Sequence, residues 1–582
     1  MLEFPLSDKR GRQFRLKTSP QEVEFQEVFL DALAQQQRAE ELGERKLEIP
    51  LSHRVMRALF IAFFGIVSVF MLKAFAMQTF SHDAFALASQ KNSARRISLL
   101  SGRGVIYDSA MKQLVYNKPS YDLVCDKRDM PQQRAQKEEL LSLIASYAGK
   151  TQGELKKQFD ENDYPELLVK EHLSHEELVV LEAKAGELPS CRARENIVRE
   201  YAGQGAFSAL LGYTAKVTGE ELQAYEGYDV SDLIGKSGVE KSYESLLRGT
   251  PGAIVEEKNS QGATIRRFQE ASSEPGKSLA LWLDAGLQNT IQSSLQKVFQ
   301  DTGTRKAAAV ALDPNTGGVL AMVSLPTFDN SIFSKGISRD AWNTLAKNPL
   351  QSLFNRTMAG IGYPTGSVVK PLIAAAALKE GIIDERTKIF APLDLCVKNR
   401  YGGQDDCFSD WTFHGWTDVK RAIAESVNPF FYIIGGGYED RKGLGAAKIK
   451  EYLQLFGWGG KTGIDLPGEG EGILPDIGKQ WRLGDTYHFS IGQGAFSVPP
   501  LQVASAFAAI ANGGTLYQPQ VAQKVLDDKK NIMETFEPKQ LKSAIMPEHI
   551  LDIVKEGMRQ TVTAGSATHW LDQVPVAVAA KT

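Results

Sequence analysis

Ala58 to Leu72 (ALFIAFFGIVSVFML) runs without a charge and without a polar face. Lys73 breaks the run and Ala74 to Met77 resume it. A lysine near a helix end can extend to the interface, so Val55 to Gln78 is long enough to cross a bilayer. A buried core helix is the competing reading of such a run. His53, Arg54 and Arg57 at its start, and the long segment before it, favour an uncleaved anchor over a signal peptide. Arg45, Lys46, Arg54 and Arg57 lie on the N-terminal side, which places that side in the cytoplasm. Residues 1–54 are polar, with an amphipathic helical pattern from Glu22 to Glu48, and read as a solvated tail.

Beyond the anchor the pattern is mixed. Arg103-Gly-Val-Ile-Tyr-Asp108 predicts a strand entering a turn, and Tyr164 to Leu188 has helical charge and apolar spacing. Ser272 to Gly276 (SSEPG) marks a linker. Ala307 to Leu312 and Gly318 to Ser324 are apolar strands separated by Asp313-Pro-Asn-Thr-Gly317, which predicts a hairpin. A helical region follows, and Val574 to Ala580 (VPVAVAA) predicts a last short strand. This order suits an α+β domain with a sheet against a helical lobe. The expected division is a tail (1–54), an anchor (55–78), a mixed α/β domain (79–275) and a second domain (276–582).

Composition narrows the class little. With 43% hydrophobic and 24% charged residues the chain is ordinary globular protein, and a net charge of -3 gives no sign of nucleic-acid binding. Its 4 cysteines are too few for a disulfide scaffold, and none forms a Cys-x-x-Cys pair.

Candidate chemistry begins with Ser-x-x-Lys, which on a helix sets an amine beside a hydroxyl. If burial and a second cation depress the lysine, its neutral form can take the serine proton. The pattern occurs at Ser109/Lys112, Ser294/Lys297 and Ser367/Lys370. The first lies in a turn-like stretch and the second on a surface-type helix, so both read as exposed pairs. Ser367 follows Tyr363-Pro-Thr-Gly366 and opens an alanine-rich helix, where free N–H groups can stabilise an oxyanion. Ser426-Val427-Asn428 offers a hydroxyl for proton relay and an amide for a peptide; the bland alternative is a loop serine and a capping asparagine. A cation and hydroxyl for a substrate carboxylate have two candidates. Lys461-Thr462-Gly463 sits in a glycine-rich loop, whereas Lys581-Thr582 follows an apolar run, and the latter is preferred.

With these elements in order the chain resembles the penicillin-binding proteins of the monofunctional class B transpeptidase type. Arg103 to Asp108 and Gly235 to Gly249 are similar to blocks of the family's non-catalytic pedestal. Gly484 to Gly494, Pro500-Leu-Gln502 and Ala511-Asn-Gly-Gly514 are similar to its downstream signatures, the elongation type being favoured over the division type. The resemblance implies a transmembrane helix, a pedestal and a penicillin-binding/serine β-lactamase-like domain. It implies that Ser367 attacks the penultimate D-Ala carbonyl of a stem peptide, with Lys370 as base. Ser426 would help protonate the leaving D-Ala, Asn428 would orient the peptide, and Lys581 and Thr582 would bind the carboxylate. Implied partners are peptidoglycan stem peptides, β-lactam antibiotics, the membrane, a membrane glycan polymerase and other elongation-complex proteins. No cofactor is implied. The expected location is the cytoplasmic membrane, with one span and the catalytic domain outside.

The sequence departs from the family at Thr365, where proline is usual, and at its end. Members continue past Lys-Thr with an oxyanion-hole glycine, further strands and a helix, so the expectation is a domain lacking them that acylates weakly or not at all. A non-catalytic scaffold, a D,D-carboxypeptidase and a β-lactam sensor remain alternatives. Cys396 and Cys407 bracket a polar loop. Outside the cytoplasm a disulfide is the default, with a zinc site using Cys396 or Cys407 with Asp410 and His414, or free thiols, as the alternatives.

Overall fold

The computed structural model describes residues 53–79, 94–161, 166–203, 205–228, 232–258, 264–398 and 402–582. The helical pattern at Glu22 to Glu48 lies outside the described residues. Helix His53–Thr79 has 27 residues, and its apolar side chains are exposed, as a lipid-facing span requires. At 1.5 Å per residue it is about 40 Å long, more than the roughly 30 Å hydrocarbon layer.

Residues 96–256 and 264–582 form one compact unit. Among the described residues its largest sheet has seven strands. Six follow the order Ile532–Thr535, Ala522–Leu526, Ser278–Leu281, Ile106–Tyr107, Gln113–Asp126 and Glu166–Lys170, and Cys191–Tyr201 also pairs with Gln113–Asp126. Ser278–Leu281 runs parallel to Ile106–Tyr107 and antiparallel to Ala522–Leu526, so chain from both sides of the Ser272–Gly276 segment shares one sheet. The Arg103–Asp108 segment forms the expected short strand and turn. Asp108 closes that turn by accepting from the N–H groups of Ala110 and Lys112.

Arg103 and Glu240, from the two pedestal blocks, meet inside this unit. Glu240 is fully buried and accepts from Arg103 Nε at 2.6 Å and Arg199 Nε at 2.8 Å. Burial pushes the Glu240 carboxyl up, but the charges of the two arginines outweigh it and hold the group below its usual range. A second disulfide, which the cysteine count did not anticipate, joins Cys125 to Cys191 directly across paired strands.

The predicted hairpin forms from Ala307–Leu312 and Val319–Leu325. Helix Ala285–Thr302, capped by Asp284, packs on it through buried Gln288. The Gln288 amide donates to Ala206 O and Met322 O and accepts from Met322 N–H. Helices Lys370–Lys379, Val419–Ala424, Asn428–Gly436, Ala446–Leu455, Leu483–Ser490, Pro500–Ala511 and Glu548–Thr563 enclose the largest apolar core. Ala374 to Ala377 are fully buried, their small side chains suiting a helix with neighbours on every side.

Two expectations fail. Val574 to Ala580 is not a strand: Ala580 N–H donates to Met558 O, and Val578 O accepts from Arg559. Helix Glu548–Thr563 takes those backbone bonds, and among the described residues no strand lies alongside to form a ladder. Within Tyr164 to Leu188, Glu166–Lys170 is a strand, and the helix is confined to His175–Ala183. Alternating Leu167 and Val169 bury one face there, and a short apolar run cannot by itself separate the two periods.

Candidate active site

Ser367 lies in the 3-10 turn Gly366–Val369 that leads directly into helix Lys370–Lys379. The loop before it is anchored by an exchange of backbone bonds between Tyr363 and Val498, and by Gly366 N–H donating to Gly492 O at 3.1 Å. Gly492 has φ +77°, and a Cβ there would meet Gly366 O at 2.1 Å, so this contact requires glycine. The Gly484–Gly494 block thus supports the serine turn. Its helix, Leu483–Ser490, also packs on Asn428–Gly436, with Tyr487 Oη donating to Gly437 O at 2.6 Å. One sequence block therefore braces both halves of the site.

Lys370 is fully buried. Its Nζ donates to Ser426 O at 2.7 Å, to Ser426 Oγ at 3.1 Å and to Asn428 Oδ1 at 2.7 Å, and lies 5.4 Å from the Phe431 ring centre. Burial chiefly, and then the positive charge of Lys581, push the Lys370 amine well below its usual range, while Asp410 acts in the opposite direction. Ser426 has φ +59°, a strained backbone for a residue with a Cβ. That strain turns both its carbonyl and its hydroxyl toward Lys370. Asn428 opens helix Asn428–Gly436, and the Asp410 carboxylate accepts from its backbone N–H and its side-chain Nδ2, both at 2.9 Å.

The structure thus brings Lys370, Ser426 and Asn428 into direct contact, with Ser367 one helical turn before Lys370. Ser367 N–H and Oγ bond to no described residue. Lys581 is electrostatically coupled to Lys370, and burial lowers its own amine to about 8. Thr582 Oγ1 is 2.5 Å from Ser566 Oγ.

The rejected candidates lie in other settings. Thr462 N–H and Oγ1 and Gly463 N–H donate to the Glu469 carboxylate, which closes the Lys461 segment as a loop. Gln502, from the Pro500–Gln502 signature, bonds the backbone of the same loop at Gly459, Gly460 and Glu471. Ser109 is in an exposed turn, and Ser294 returns its hydroxyl to Thr290 O on an exposed helix.

The zinc alternative is overturned. Cys396 and Cys407 are joined in a disulfide across the hairpin Asp394–Val397 and Asp406–Ser409, so neither offers a thiolate. Asp410 is occupied with Asn428, and His414 Nδ1 is 2.8 Å from Glu425 Oε2. The contact of Asp410 with Asn428 escaped the sequence reading, because nothing in the spacing of the two residues signals it.

Residues 307–582 match the model of the penicillin binding protein transpeptidase domain, and residues 98–281 that of the penicillin-binding protein dimerisation domain. A peptidoglycan D,D-transpeptidase MrdA of Acinetobacter baumannii is 33% identical over 76% of this chain and 65% of its own length. The protein of the same name in Escherichia coli is 28% identical over 90% of this chain and 83% of its own length. The chain thus spans just under two thirds of the first relative and more of the second. Among solved structures, PBP2 of Helicobacter pylori in complex with MreC superposes with a TM-score of 0.71 at 26% identity, covering 84% of this chain and 89% of that one. A chain of a peptidoglycan synthase complex that coordinates polymerization and crosslinking gives 0.65 at 26% identity, covering 91% of this chain and 88% of that one.

Proposed function

This chain belongs to the penicillin-binding proteins, with their dimerisation and transpeptidase domains, and we propose that it cross-links peptidoglycan stem peptides through an acyl-enzyme on Ser367. The observation that carries the reading is the setting of Lys370. Buried and next to a second cation, it is held toward its neutral form, one helical turn from a serine hydroxyl with no competing partner among the described residues.

In this reading neutral Lys370 takes the proton from Ser367 Oγ as the oxygen attacks the penultimate D-Ala carbonyl. The Ser367 N–H, at a helix start and without a partner among the described residues, supports the developing oxyanion. Collapse of the tetrahedral species expels D-Ala, whose amine receives the proton from Lys370 by way of the Ser426 hydroxyl, 3.1 Å away. The amine of a second stem peptide then attacks the ester, and Ser367 regains its proton. Asn428 orients the peptide, and Lys581 with Thr582 holds the terminal carboxylate. A β-lactam enters by the same first step.

We further infer that residues 1–54 form a cytoplasmic tail and 55–78 a single membrane anchor, with the N-terminus inside. Residues 79–275 then form the pedestal and 276–582 the catalytic domain, outside the membrane. The pedestal is the natural surface for elongation-complex partners. The MreC complex and the synthase complex among the structural relatives support this role, including a partner that polymerises glycan.

The test is fluorescent-penicillin labelling of the full-length protein followed by peptide mapping. The adduct is expected on Ser367 and is expected to be absent from Ser367→Ala. An adduct elsewhere, or equal labelling of the variant, contradicts the reading.

A further inference from the structure

The Asp410 side chain is wholly buried beside the reactive lysine, yet the proposed reaction assigns it no part. Among the described residues, every group that bonds to it is a donor. Oδ1 accepts from Asn428 Nδ2 at 2.9 Å and from Trp411 N–H at 2.8 Å, and Oδ2 accepts from Asn428 N–H at 2.9 Å. His414 Nε2, itself buried and without a hydrogen-bond partner among the described residues, is 3.5 Å from Oδ2.

This arrangement decides which end of the Asn428 amide faces the lysine. A carboxylate only accepts, so it must meet the NH2 end. The carbonyl end is then left toward Lys370 Nζ, where it accepts at 2.7 Å. Rotated by half a turn, the amide would set oxygen against the carboxylate and lose that contact, and its NH2 would face Lys370 and compete for the lone pair that takes the serine proton. The loop that carries Asp410 also grips the other side of the site. His414 Nδ1 is 2.8 Å from Glu425 Oε2, immediately before strained Ser426, and Glu425 Oε1 in turn accepts from Arg421.

We infer that Asp410 is a positioning residue for acyl transfer, fixing the Asn428 amide so that its oxygen holds Lys370 in line with Ser426 and Ser367. The inference rests on the Ser367 and Lys370 roles proposed above. It adds a requirement those roles do not contain: a carboxylate that never touches substrate must be present for the base to be placed. Asparagine cannot replace both contacts. An amide has one accepting end, so either the backbone N–H or the side chain of Asn428 faces a donor.

The experiment compares Asp410→Asn with the unaltered full-length protein by the second-order rate of penicillin acylation across pH, by thermal unfolding and by crystal structure. The acylation rate is expected to fall roughly ten- to a hundredfold, the range for losing a hydrogen bond to a charged group. The acid limb of the profile is expected to move to lower pH. The charged groups acting on Lys370 are Lys581, which lowers it, and Asp410, which raises it, so removing the Asp410 charge lets the amine lose its proton earlier. A merely structural lesion lowers the rate and leaves the limb in place. The crystal structure is expected to show Asn428 Oδ1 more than 3.5 Å from Lys370 Nζ. A rate within twofold of the unaltered protein, an unmoved limb, or an amide oxygen still at hydrogen-bond distance overturns the inference. If the unaltered protein takes no penicillin at Ser367, the parent reading fails instead, and the crystal structure still tests the placement of the amide.

Discussion

Replacing Glu240 by glutamine removes one charge from the most enclosed ionic cluster of the pedestal. Glu240 has no exposed side-chain surface, Arg199 has 2% and Arg103 has 10%. Arg103 keeps Glu244 in the variant, at 2.7 Å. Arg199 keeps only neutral acceptors, Gly104 O and Asn117 Oδ1. The variant therefore buries a guanidinium with no anionic partner, which costs about 3–5 kcal/mol. Glu244→Gln removes a carboxylate with 17% exposure, whose partner retains Glu240, and should cost clearly less. The pH dependence has a definite sign. Glu240 lies below its unfolded value, so its contribution is complete above the ordinary carboxylate range and is lost as pH falls through the lower folded value. The assay is urea unfolding of the full-length protein in detergent, at neutral pH and in acid. A loss under about 1 kcal/mol for Glu240→Gln, or a larger loss for Glu244→Gln, would refute the reasoning.

Three further outcomes are expected. Ser426→Gly removes the left-handed backbone strain that Ser426→Ala retains, so it should be more stable by about 1 kcal/mol; both should acylate slowly, and melting alongside penicillin labelling reads the two effects separately. Gly492→Ala drives a Cβ into Gly366 O and should cut the labelling rate at least tenfold by shifting the Ser367 turn, whereas normal labelling would mean that the contact relaxes freely. Cys396→Ser opens the disulfide with Cys407, whose sequence separation is 11, and should lower stability by about 3 kcal/mol at most, measured against the unaltered protein with and without reductant.

The candidate residues were legible where they are local in sequence. Ser367 and Lys370 are one turn apart where a 3-10 turn enters an alanine-rich helix, and Ser426 and Asn428 are two residues apart, so spacing and local context together marked them as candidates. The hairpin around Asp313–Gly317 was legible for the same reason. Asp410 was not, because its partner Asn428 is reached across a fold that no periodicity records. The Cys125–Cys191 bond depends on strand register, which appears only once Gln113–Asp126 and Cys191–Tyr201 are paired. Val574–Ala580 misled because an apolar, β-prone run specifies a strand only when a neighbour supplies the ladder, and here helix Glu548–Thr563 takes its bonds instead. The glycine blocks were recognisable as family-like, but their reason, Gly492 against Gly366 and Tyr487 against Gly437, is tertiary.

The central claim is acyl transfer from Ser367 to a second stem peptide. Its most direct test supplies the full-length protein with nascent peptidoglycan strands and a glycan polymerase, then counts cross-linked peptides after glycan digestion. Cross-linked dimers that form with the unaltered protein and vanish with Ser367→Ala or with penicillin are the predicted result. Dimers that persist with Ser367→Ala, or a protein that releases D-Ala only to water, would contradict it.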